Sequence, residues 1–170
     1  MTKSISKYLI LAAFLMASTS MFSQKYGYIN SAELLVGLSE VKAADTSLET
    51  YQKQLLAKGQ QMVQTFEKKY QTVAEEVQKG TLSQIQIQQK EAELQTEQQS
   101  IKTYEVEVQQ KLATKREQLY KPILDKVKDI IVSHGKAEGY TMIFDTSTGG
   151  LLHAAESDNL MAVIKGKLGQ

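Results

Sequence analysis

Between Lys42 and Lys79 the apolar residues Leu48, Tyr51, Leu55, Met62, Phe66, Tyr70, Val73 and Val77 recur by threes, fours and one seven. That spacing keeps them on one side of an α-helix. Gly80 supplies a helix stop, and Thr81 with Gln84 has the spacing of a capping box for a second helix. This return helix is predicted from about Ser83 to Ser133, with a seam through Ile101, Tyr104, Val108, Leu112, Leu119, Ile123, Val127 and Ile130. Pro122, the only proline, lies inside it and should kink the helix or mark a junction.

The stripes are narrow, and glutamine makes up about a quarter of the residues from Tyr51 to Gln118. A helix packed on a globular core carries about three apolar positions per heptad, whereas a coiled-coil seam carries about two. These helices can therefore zip together but cannot line a large core. The pattern predicts a solvent-projecting helical hairpin roughly 50 Å long at 1.5 Å rise per residue. The other arrangement, a fibrous rod, is disfavoured by Gly80 and by the matched seam lengths.

Shorter elements flank the arm. Lys25 to Asn30 reads as a strand, and Asn30 with Glu33 can start a short helix through Leu34, Leu35 and Leu38. Gly135 and Gly139 bracket the end of the long helix. Residues 140–154 read as a β-hairpin: alternation at Tyr140, Met142 and Phe144, a Thr-Ser-Thr-Gly-Gly turn, and a second strand from Leu151. The arm returns the chain so that the first strand and this hairpin can form one small three-stranded sheet. Ser157 is placed to cap a final helix through Leu160, Met161, Val163, Ile164 and Leu168. The fold class expected is α+β, mostly α, with a small β-rich body and a long antiparallel helical-hairpin arm. Because so small a body buries little apolar area, Tyr28, Ile29, Tyr140, Met142, Ile143, Phe144, Leu151 and Leu152 are expected to assemble subunits.

The first residues change the picture. Lys3 and Lys7 precede the apolar run Tyr8–Ala17, and Ser18, Thr19 and Ser20 follow, the layout of a secretory signal peptide. Cleavage is expected near Ser23, so the domain reading is 1–23 signal peptide, 24–47 and 120–170 body, and 48–119 arm. Without Lys3 and Lys7, 18 basic residues face 19 acidic ones, a net charge of about −1, which gives no ground for a polyanion or nucleic-acid binder. The absence of cysteine excludes disulfides and lipoprotein attachment.

Catalytic chemistry finds no constellation. His134 sits at a helix end and His153 in a predicted strand, and the two lack metal-ligand spacing. The segment Gly135–Gly139 is a helix stop without a phosphate-loop pattern, and Asp145 suits a turn. No enzyme and no cofactor is expected. What stands out is a scatter of apolar residues on a polar arm: Met62, Phe66 and Tyr70 on the outgoing helix, and Ile85, Ile87, Leu94 and Val106 partly off the return seam. Such a surface suits weak, multivalent holding of unfolded chains. Gly59 interrupts the outgoing helix and, with Pro122, is the expected hinge.

The segments Gly27–Asn30, Pro122–Val127 and Gly139–Asp145, in this order and spacing, resemble the Skp/OmpH family of periplasmic chaperones. The resemblance covers nearly the whole chain after residue 23 and implies a homotrimer with a β-rich body and three helical tentacles. It also implies ATP-independent holding of unfolded outer-membrane proteins in the cavity between them. Residues 49–121 carry 11 basic and 10 acidic side chains, unlike the strongly basic tentacles of that family's best-known members. This departure weighs against membrane or lipopolysaccharide contact. A structural spacer or envelope adaptor that binds one folded partner is the alternative, and it predicts a closed, well-packed seam.

Overall fold

The computed structural model describes residues 24–169; the expected signal peptide lies outside them. The order of elements is β1 (Lys25–Ile29), α1 (Ser31–Gly37), α2 (Ser39–Gln78), α3 (Gln84–Ala137), β2 (Tyr140–Asp145) and α4 (Met161–Leu168). Helices α2 and α3 form the predicted antiparallel hairpin. Its register is marked by side chains that meet across it: Lys126 with Glu40, Tyr120 with Asp45, Tyr104 with Leu55, Lys69 with Glu97 and Lys90 with Glu76.

Each helix end has a local cause. The Asn30 side chain accepts from the Glu33 amide and starts α1, while Glu33 itself reaches Lys165 of α4 at 2.6 Å. Gly80, at φ 66°, turns the chain after α2 without the penalty a Cβ would carry. The capping box of α3 is formed by Ser83 and Gln86, two residues beyond the predicted Thr81 and Gln84. Thr81 instead donates back to the Glu76 carbonyl at 3.0 Å, which ties it to the end of α2. Helix α3 continues unbroken through Pro122 and ends four residues beyond the predicted Ser133. Pro122 directly precedes Ile123, where the helix first buries a side chain in the body core.

The predicted β-hairpin does not form. The sheet has two strands, and β1 pairs with β2 in parallel, Tyr26 opposite Met142 and Tyr28 opposite Phe144. Parallel strands need a long crossover, and the whole α1–α2–α3 excursion supplies it. After β2, Asp145 caps a 3-10 turn at Thr146–Thr148, and Gly149 at φ 73° carries the chain away from the sheet. Leu151, Leu152 and His153 are therefore irregular rather than a strand, and Leu152 is 98% exposed. Among the described residues the only further pairing is a parallel bridge between Tyr28 and Asn159. Ser157 does not cap the last helix. It lies in a second 3-10 turn, Glu156–Asp158, and the Asn159 side chain accepts the Met161 amide.

Two apolar clusters hold the chain. The body cluster joins Ile29, Leu34, Leu38, Ala44, Ile123, Val127, Leu160, Ile164 and Leu168, with Tyr140 and Ile143 packed against it. Gly27 lets β1 approach this core: a Cβ there would lie 2.7 Å from Leu160 Cδ1 and 3.0 Å from Tyr140 Cε1. Tyr26, Met142 and Phe144 form the opposite sheet face, exposed to solvent, with the Tyr26 and Phe144 rings 6.3 Å apart. The second cluster is Leu55, Tyr104 and Val108 in the arm, ringed by Tyr51, Met62 and Leu112.

Candidate functional site

The arm surface is the candidate site, and its geometry follows from Tyr104. The ring covers Gly59 on the facing helix, and its hydroxyl donates 3.0 Å to the Leu55 carbonyl. Lys58 and Lys111 place their ammonium groups 5.2 and 5.3 Å from the ring centre. Lys111 also bonds Glu107 at 2.7 Å, a hydrogen bond that holds the Glu107 carboxyl below its ordinary range. Beyond this cluster no described residue from Val63 to Thr103 is buried, so the distal arm is held by half-buried contacts and by two cross-helix ion pairs that keep partial access to solvent, Lys69–Glu97 and Lys90–Glu76. Pairs open to solvent contribute little each.

Replacing Tyr104 with Phe deletes the one buried side-chain tie across the arm. We expect a loss of about 1 kcal/mol, read as a lower thermal midpoint together with faster amide exchange in residues 55–62. Gly59→Ala should act the other way. A Cβ there meets Tyr104 Cε1 at 3.5 Å, an ordinary contact, so the gain in helix propensity of about 1 kcal/mol is retained. If Gly59 is also the hinge, small-angle scattering will show a narrower spread of arm positions in this variant.

The structure divides the predicted capture residues. Met62 packs on the Leu55–Tyr104 cluster, and Ile87 and Leu94 are half-buried. Phe66 is half-buried and leans on Tyr70, ring centres 6.3 Å apart. Tyr70, Ile85 and Val106 face solvent, Val106 at 73% exposure. Sequence reasoning missed Leu56 and Val63, both exposed. A signal existed in the pairs Leu55-Leu56 and Met62-Val63, because neighbours i and i+1 cannot share one face of a helix.

The remaining candidates fall into structural roles. His134 is buried in the last turn of α3, with its ring 5.7 Å from that of Tyr140, and His153 is exposed in the irregular segment rather than in a strand. Asp145 accepts from the Ser31 amide and hydroxyl at 3.1 and 2.5 Å and from the Ser147 amide at 3.0 Å, tying β2 to α1. Partial burial pushes this carboxyl up, but the hydrogen bonds from Ser31 and Ser147 outweigh it and bring it down to about 2. A carboxyl lowered by folding adds stability above its unfolded value of about 3.9, and that stability is lost as pH falls through the folded value. The difference in thermal midpoint between the parent and Asp145→Asn should therefore be constant above about pH 5 and shrink between about pH 4 and 2. A difference independent of pH would contradict this role.

Among the described residues no group of His, Asp and Glu could hold a metal, and no helix is long and apolar enough to cross a membrane. A long antiparallel two-helix arm on a small body with a parallel strand pair defines the class of protein. The profile of the family described as outer membrane protein (OmpH-like) matches residues 25–168, and the chain belongs to that family. A crystal structure of an OmpH-like protein from Caulobacter crescentus shares the fold, with a TM-score of 0.72, 14% identity, and coverage of 85% of this chain and 83% of that one. No curated protein matches the chain.

Proposed function

We propose that the protein is an exported, ATP-independent holdase chaperone that keeps unfolded outer-membrane proteins soluble between the arms of a homotrimer. One observation carries this reading: a long arm that buries only Leu55, Tyr104 and Val108 along residues 48–119 while presenting apolar side chains on a polar surface. Each exposed apolar contact is weak, and several arms acting together multiply their effect. A spacer would call for a closed, well-packed seam, and three buried side chains along so long an arm speak for holding instead. The exposed apolar face of Tyr26, Met142 and Phe144 supports assembly through the body, with the division at 48–119 separating capture from assembly. The charge balance of 11 against 10 over residues 49–121 favours protein clients over anionic lipid. The proposed activity makes and breaks no covalent bond, so it requires no catalytic residue and no cofactor.

The test is dilution of a urea-denatured outer-membrane protein into buffer with the mature protein and no nucleotide. Suppressed light scattering, unchanged by added ATP, is expected. Scattering equal to the protein-free control would refute holding. Client affinity should also change only modestly over roughly 20–500 mM salt, since screening acts mainly on exposed charge pairs.

A further inference from the structure

On one side of the arm, opposite the Lys58–Lys111 pair, α2 and α3 enclose an open groove of about 710 Å³. Its floor is apolar: Leu56, 53% exposed, and Val63 from α2 face Ile101 and Val108 from α3. The missing Cβ of Gly59 leaves the floor open down to the Tyr104 ring. The rim carries Gln60, Gln64 and Gln109, and two carboxylates, Glu67 and Glu105.

Three features of this groove point to the same occupant. An apolar floor offers burial to apolar side chains at about 25 cal/mol per Å². Burying an extended chain also requires its backbone N–H and C=O groups to be bonded, and glutamine amides both donate and accept without regard to sequence. The carboxylates give the third. Among the described residues no lysine or arginine forms an ion pair with Glu67 or Glu105, although Glu107, two residues from Glu105 on the other side, is paired with Lys111. No basic residue lines the groove. Two unmatched negative charges beside an apolar floor attract a cation on the ligand and repel a phosphate headgroup.

We infer that the groove between Leu56–Glu67 and Ile101–Gln109 is a capture site for extended, apolar polypeptide segments that carry lysine or arginine. It rests on the holding function proposed above and names the chemistry that function selects. It also shifts capture away from Met62 and Phe66, which pack toward the seam, to the exposed Leu56 and Val63.

Fluorescence anisotropy on the mature protein tests this with three labelled apolar peptides that differ only in flanking Lys, Gln or Glu. The Lys peptide should bind roughly tenfold tighter than the Glu peptide at low salt, about 1.4 kcal/mol shared between two exposed charge pairs. Glu67→Gln with Glu105→Gln should bring the two within about twofold. Leu56→Ser should weaken all three, with helix content by circular dichroism unchanged, since that side chain is exposed. Equal affinities in the parent, a preference that survives the double substitution, or peptide-free parent that co-sediments with phosphatidylglycerol vesicles in a way Leu56→Ser abolishes would each overturn the inference. A parent that keeps a denatured client soluble yet shows no charge preference overturns the groove alone. A parent that does neither overturns the holding function with it.

Discussion

Joining Thr46 to Tyr120 through a short turn should abolish protection of unfolded clients and leave the oligomer assembled. All nine buried residues of the body cluster lie outside the deleted stretch, from Ile29 and Leu34 to Ile164 and Leu168. The cut falls where the helices lie side by side, because the Tyr120 hydroxyl bonds Asp45 there. Packed helices are about 8–10 Å apart, a gap that a few residues span. The strands β1 and β2 are then linked by a shorter excursion, and shorter loops cost less to close. The half-buried Leu119 leaves with the arm, so a modest drop in stability is expected. The variant should sediment as an oligomer and show no suppression of client aggregation. An armless variant that still prevents aggregation would refute the arm as the site of holding.

The reciprocal change, Met142→Asp, should dissociate the subunits while each chain stays folded. Met142 lies on the exposed sheet face, opposite Tyr26 in register and beside Phe144. In a single chain the new carboxylate is solvated, so helix content should match the parent. In an interface the same carboxylate is buried without a partner, which costs several kcal/mol. Separated arms cannot surround one client, and the loss of multivalency should weaken holding by roughly 10²-fold or more. Equilibrium sedimentation reads the mass and circular dichroism reads the fold. An oligomer that survives Met142→Asp would move the interface off this face.

The arm was legible in the sequence because its signal is periodic and long. Narrow stripes at helical spacing, broken only at Gly80, fix both helices and their antiparallel return. Caps were legible in type but not in position. Thr81/Gln84 and Ser83/Gln86 both satisfy the same spacing, and only the bond from Thr81 to the Glu76 carbonyl decides between them. The end of the chain misled for a different reason. Two apolar residues after Gly-Gly imitate a hairpin, and the third strand expected there is absent. The expected joining of the first strand to this segment did form, as the parallel β1–β2 pair across more than a hundred residues, with Asp145 bonding Ser31 at the same junction.

The surface of the arm was legible only in part. Exposed Ile85 and Val106 follow from their positions off the stripe, whereas Tyr70 lies on the stripe and is exposed all the same. The groove requires knowing which residues of α2 and α3 lie abreast. Neither helix alone shows that Glu67 and Glu105 flank one apolar strip, or that Tyr104 reaches the Leu55 carbonyl. Those facts belong to the register between the helices, and single-helix periodicity does not contain it.

Sedimentation velocity of the mature protein, with and without a urea-denatured outer-membrane protein and without nucleotide, tests the central claim most directly. Holding by an arm-bearing oligomer predicts an oligomeric boundary alone and, with client, one faster soluble boundary containing both proteins in fixed ratio. Client pelleting as aggregate while the protein's own boundary stays unshifted would contradict it.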